Sequence, residues 1–168
     1  RRQRQMCIRD RDNTNLDYSG WVNFAEQGTE LWTEQVFRGN GYTEFSAYRT
    51  CEDVNIGWLV TPGFDLTGST NSFINFKLAQ HHLDDDQNNT LEVFISNDFD
   101  GSNVLSATWN KLSVQIPNMS NSWYAFQDSG LIDVSSYEGT IHIGFKYVGS
   151  GTNTCLLYTS DAADESRG

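Results

Sequence analysis

The amino-acid sequence predicts an all-β protein, an antiparallel β-sandwich of jelly-roll type. Three observations carry this. No segment sustains an apolar repeat of 3.6 residues, several short segments alternate apolar and polar residues with period two, and clusters of Asn, Asp, Gly and Ser separate them. Period two with one apolar side is the pattern of a half-buried antiparallel strand.

The strand candidates follow in order. Residues 21–24 and 31–38 open the series, and residues 43–48 and 58–61 follow, the last ended by Pro62-Gly63. Residues 73–78 set Ile74, Phe76 and Leu78 against Phe73, Asn75 and Lys77. Residues 91–96 set Leu91, Val93 and Ile95 against Glu92, Phe94 and Ser96, and residues 109–116 turn Leu112, Val114 and Ile116 inward. Residues 141–147 alternate most sharply, with Ile141, Ile143, Phe145 and Tyr147 opposite His142, Gly144 and Lys146. About eight strands with no helices between them imply two packed antiparallel sheets, and a jelly roll fits the count.

The two ends of the chain carry a different signal. Residues 155–165 can be encoded by a DNA string whose reverse complement, extended by one base, encodes residues 1–10. That string also looks like the adaptor used in transposase-based sequencing libraries. Residues 1–11 and 155–168 are therefore read as adaptor-derived scars and set apart from fold reasoning. Residues 12–154 are expected to be an adhesin-like sandwich truncated at both ends, a metagenomic fragment lacking its native last strand. The apolar run 155–159 would suit the vacant slot.

Removing the scars changes the charge. The chain has 11 Lys+Arg and 22 Asp+Glu; the scars hold Arg1, Arg2, Arg4, Arg9, Arg11 and Arg167 on one side and Asp10, Asp161, Asp164 and Glu165 on the other, leaving 5 basic and 18 acidic residues. Phosphate binding needs clustered Lys and Arg, so nucleic acid is not an expected partner. Cys7 and Cys155 fall in the scars, which leaves Cys51 alone and no disulfide within the fragment. No run approaches the roughly 18 apolar residues of a membrane span. The length suits one domain, expected to be monomeric.

Several groups of residues offer chemistry. Asn97-Asp98-Phe99-Asp100-Gly101-Ser102-Asn103 presents hard oxygens at alternate positions around a Gly turn, which suits a structural Ca²⁺ at Asp98 and Asp100; an ordinary Asp/Gly turn is the competing reading. His81-His82-Leu83-Asp84-Asp85-Asp86 mixes imidazoles and carboxylates, yet a transition-metal site requires ligands that converge in space. Glu26, Glu30 and Glu34 are the carboxylates that a glycoside-hydrolase reading would draw on, but nothing local places two of them across a cleft. No nucleophile elbow, His-Glu-x-x-His or phosphate loop is present, and catalytic residues are not expected. Trp32, Tyr42, Tyr48, Trp109, Trp123 and Tyr124 are numerous enough to supply a sugar-binding platform, unless they are spent on packing between the sheets.

Taken in order, the segments resemble a known family. Asn55-Ile-Gly-Trp-Leu-Val-Thr-Pro-Gly-Phe-Asp-Leu66, Leu91-Glu-Val-Phe-Ile-Ser-Asn-Asp-Phe-Asp-Gly101 and Leu131-Ile-Asp-Val-Ser-Ser-Tyr-Glu-Gly139, together with Arg38-Gly-Asn-Gly-Tyr42, are similar to segments of choice-of-anchor J and cleaved-adhesin domains of Bacteroidota surface proteins. The resemblance covers nearly all of residues 12–154. It implies a jelly roll, secreted or at the cell surface, serving as one module of a larger chain. Two family features depart: the terminal strand with paired aspartates is replaced by scar sequence, and Asn23-Phe-Ala-Glu-Gln-Gly-Thr-Glu30 stands where gingipain-type adhesins keep an acidic calcium loop.

The expected function is a non-catalytic extracellular binding module, for carbohydrate or cell-surface adhesion. The alternative is a structural spacer without a ligand, or, third, part of a secreted hydrolase. Exposed aromatics would favour the first reading and wholly buried ones the second; fold membership alone does not decide.

Overall fold

A computed structural model describes residues 16, 18–48, 50 and 52–151. Residues 1–11 and 155–168, Cys51 and the slot suggested for residues 155–159 lie outside the described residues.

The protein is an all-β sandwich with antiparallel sheets. The main sheet runs β1 (Val22–Gln27), β4 (Asn55–Val60), β12 (Thr140–Gly149), β8 (Thr90–Ser96) and β9 (Asn110–Lys111), with β5 (Phe64–Asp65) also paired to β12. Across its centre Leu59, Phe145 and Val93 stand in register, as do Val60, Gly144 and Phe94. Because side chains on paired strands share faces, these two rows define the two sides of the sheet.

The second layer is narrow. β6 (Phe73–Ile74) pairs with β11 (Ile132–Asp133), and β7 (Lys77–Leu78) pairs with β10 (Gln127–Asp128). The break between them is bridged rather than open. Ser129 N donates to Phe76 O at 2.9 Å, Phe76 N donates to Ser129 Oγ at 3.0 Å, and Asn75 Nδ2 donates to Gly130 O at 3.1 Å. Side chains thus replace two rungs of a ladder that would otherwise be continuous.

Between the layers sits the principal core. Val93, Ile95, Ile141 and Ile143 of the main sheet meet Ile132 and Val134, with Ile74, Phe76, Leu112, Val114 and Ile116 packed around them. Fully burying one such aliphatic side chain contributes about 1.5–3 kcal/mol. On the opposite face Trp58 and Val60 lie under Phe99, Val104, Phe94 and Trp109. A third cluster joins Trp32, Phe45, Ala47 and Leu59 to Phe145 and Tyr147.

A separate hairpin, β2 (Thr33–Phe37) and β3 (Asn40–Glu44), turns through Arg38 and Gly39, with φ of 52° and 79°. Positive φ at both central residues is the type I′ geometry that suits the twist of a two-residue hairpin. The sequence places strands at 31–38 and 43–48; the hairpin turn at 38–39 instead draws the second strand forward to Asn40–Glu44. Residues 109–116 pair only at Asn110 and Lys111, although Leu112, Val114 and Ile116 face the core as expected.

Candidate functional site

Three segments distant in sequence meet beside the hairpin. Residues 79–83 follow β7, residues 118–126 precede β10, and Tyr42 and Glu44 lie on β3. His81 Nε2 lies 2.9 Å from Glu44 Oε2 and its Nδ1 lies 2.8 Å from His82 Nδ1. The His81 ring stacks on Tyr124, with centroids 4.4 Å apart and planes 17° apart. His82 packs against Trp123 at 4.2 Å, and Tyr42 meets Phe126 edge-on at 5.9 Å.

The surrounding loop is fixed by its own bonds. Tyr124 N donates to Gln80 O at 3.0 Å, and Gln80 Nε2 donates to Asn121 O at 2.7 Å. Asn118 Oδ1 accepts from Ser120 N and Oγ, while Asn118 N donates to Asn121 Oδ1. His82 and Tyr124 both take left-handed backbone conformations, with φ of 52° and 58°. Such geometry is unfavourable for bulky residues, and it persists only where the surroundings enforce it.

The result is an aromatic surface braced by ring contacts and loop hydrogen bonds. Trp123 is 57 % exposed, and Met119, Tyr124 and Phe126 of the same segment are exposed as well. The Tyr42 hydroxyl is pushed above its usual range by burial, and then by the charges of Glu44 and Tyr124. It therefore stays protonated as a hydrogen-bond donor. Contiguous apolar surface rimmed by polar groups is the usual mark of an interaction site.

The other sequence candidates are dispersed. Trp32 is buried and donates from Nε1 to Gly57 O, and Trp109 packs on Trp58. Of the glutamates, Glu26 faces Trp58 and Lys146, Glu30 lies near Glu52, and Glu34 is buried on the hairpin. Asp85 spends its carboxylate on Gln87 N, Asn88 N and Asn88 Nδ2, apart from the His81–Glu44 contact. Among the described residues no three His, Cys, Asp or Glu side chains are grouped to hold a metal.

Asp98 and Asp100 organise their loop. Asp98 Oδ1 accepts from Ser96 Oγ at 2.6 Å and from Thr108 N at 2.8 Å; Asp100 Oδ1 accepts from Ser102 N, Ser102 Oγ and Asn103 N. These bonds hold both carboxyls below the usual carboxylate range, led by Ser96 for Asp98 and by the Ser102 backbone for Asp100. They account for the turn through ordinary hydrogen bonding.

Sequence reasoning names Tyr42, Trp123 and Tyr124 but misses Glu44, Phe126 and the imidazoles as parts of one surface. The adjacent Trp123-Tyr124 within a polar stretch is the one local signal. No family model, curated protein or solved structure matches the chain. Among the described residues no helix is long and apolar enough to cross a membrane.

Proposed function

We propose that this domain is a non-catalytic extracellular binding module that holds carbohydrate on the surface formed by Trp123, Tyr124 and Phe126. The observation that carries the reading is an indole 57 % exposed yet braced by His82 at 4.2 Å. A large aromatic face already held in place loses little freedom when a ligand arrives. Sugar rings present apolar C–H faces that stack on such a surface, and hydroxyl groups that need donors and acceptors at its rim. Glu44, His82 and the Tyr42 hydroxyl supply these groups. The jelly-roll topology and the choice-of-anchor J resemblance belong to the same proposal.

The test is a glycan array on the intact chain, followed by calorimetric titration of the best ligand. Trp123→Ala and Tyr124→Ala should each weaken binding by roughly tenfold or more while the thermal midpoint holds. An array without hits, or variants that bind as the parent does, sinks the reading. The spacer alternative draws support from Trp32 and Trp109, whose rings are spent on packing.

A further inference from the structure

We propose that His81 and His82 form a proton-operated switch that sets the spacing of Trp123 and Tyr124, holding the aromatic surface together at neutral pH and parting it in acid. Its consequence, release of bound carbohydrate in acid, rests on the function proposed above; the switch itself does not.

The two Nδ1 atoms stand 2.8 Å apart, a hydrogen-bond separation, with the ring planes at 82°. Such a contact takes one proton, so one Nδ1 donates and the other accepts. Glu44 decides which. An ionised carboxylate only accepts, so His81 Nε2, 2.9 Å from Glu44 Oε2, carries a proton. Neutral His81 then offers its Nδ1 lone pair to the Nδ1–H of His82. The chain of donors runs from His82 through His81 to Glu44, and His82 Nε2 remains as the basic atom.

Imidazole is the side chain that changes charge between about pH 5 and 8. A first proton enters at His82 Nε2 and keeps the Nδ1 contact intact. It also sets a cation against the Trp123 ring, which is an attractive pairing. A second proton finds only His81 Nδ1. Two charged N–H donors then face each other across a 2.8 Å contact, which must open. The neighbouring groups do not relieve this. On β3, Glu44 already holds His81 Nε2, and Tyr42 stands within reach of the charges of Glu44 and Tyr124. Phenols lose their protons far above the acid range. On the histidines' own loop, Asp85 and Asp86 accept from Gln87 and Asn88, and Asp84 is exposed.

His82 is the partner better able to move. It is exposed, whereas His81 is half-buried between Glu44 and Tyr124. Its left-handed backbone, with φ of 52°, is held against a steric cost that departure releases. Each imidazole carries one ring of the surface. Tyr124 stacks on His81 at 4.4 Å, and Trp123 packs on His82 at 4.2 Å. Parting the imidazoles therefore parts the two aromatic faces on which a sugar would stack.

NMR of the histidine ring nitrogens in the full chain, followed from about pH 8 to about pH 5, tests the switch without any ligand. His81 and His82 should titrate in two coupled steps, and the Trp123 indole N–H should shift with the second. His142, whose Nδ1 lies 2.9 Å from Thr61 O, serves as the reference in the same spectra. His82→Asn, which suits a left-handed backbone, should reduce His81 to a single step. Affinity for the best glycan should hold through the first step and fall roughly tenfold or more through the second. His81→Gln should abolish that fall. Independent one-proton curves for the two histidines, a Trp123 signal indifferent to the second step, or a glycan affinity flat across both steps overturns the proposal. Coupled steps with a moving Trp123, but no glycan bound at any pH, uphold the switch and overturn the carbohydrate reading alone.

Discussion

Trp58 Nε1 donates a 2.6 Å hydrogen bond to Glu26 Oε2, joining an inner strand of the main sheet to its edge. The same oxygen lies 2.9 Å from Lys146 Nζ, and that ammonium sits 5.1 Å from the centre of the Trp58 ring. A bulge makes the geometry work: the β1/β4 register slips between Ala25 and Gln27, so Glu26 is the extra residue. Bulges commonly re-aim a side chain in this way. Burial pushes the Glu26 carboxyl up, but Trp58 and Lys146 outweigh it, and the net shift is downward. A lowered carboxyl contributes stability that is present above its unfolded value and lost as pH falls through its folded value. Glu26→Gln should therefore flatten the acid limb of a plot of stability against pH. At neutral pH Glu26→Ala should cost about 2 kcal/mol, because it strands an indole N–H and a cation. Urea unfolding across the acid range measures both effects.

Gly57 is required by Phe45. A β-carbon at Gly57 would collide with the edge of the Phe45 ring, whose Cζ lies 2.9 Å from that position. Gly57→Ala should destabilise the domain by about 2–3 kcal/mol through overpacking. Combining it with Phe45→Leu should recover part of the loss, a non-additivity expected of residues in direct contact. Equal costs alone and together would place the strain elsewhere.

Tyr147 contributes to the loss of stability at alkaline pH. Burial pushes its hydroxyl up to about 12 from an ordinary value of 10.0. The unfolded chain loses this proton first as pH rises. The stability contributed by the protonated form is thus complete below about 10 and declines until about 12. Two pH units correspond to about 3 kcal/mol. Tyr147→Phe should remove this decline from the alkaline limb while leaving the acid limb unchanged, as read by denaturant unfolding at stepped pH.

Two tryptophans should part company. Trp32 is 8 % exposed, meets Phe45 at 5.6 Å and donates to Gly57 O. Trp32→Ala should cost about 3–5 kcal/mol. Trp123 projects to solvent, so Trp123→Ala should shift stability by less than about 1 kcal/mol. Thermal unfolding of the two variants side by side would show whether the aromatic surface is separable from the core.

The long strands were legible because alternation marks them plainly. Residues 141–147 lie within β12 and residues 91–96 within β8, with Val93, Ile95, Ile141 and Ile143 inside as the period requires. β10 and β11 escaped notice, since each is two residues long and the rungs between them pass through Ser129 and Asn75 side chains. The bulge at Glu26 has no signature in residue type. The aromatic surface was half legible: Trp123 and Tyr124 announce themselves, but Glu44 joins them through a contact 37 residues long that only tertiary packing creates. Spacing along the chain carries none of that information.

The central position of β12 governs when the sheet can assemble. β12 is the last strand in chain order among the described residues, yet it holds β4, β8 and β5 together. During synthesis the apolar faces of β4 and β8 must wait for it, exposed or guarded by other factors. Closing loops from residue 60 to residue 144 carries a large entropic delay before any contact repays it. Folding of the main sheet is consequently a late event, and the emerging chain is most open to aggregation just before Thr140–Gly149 appears.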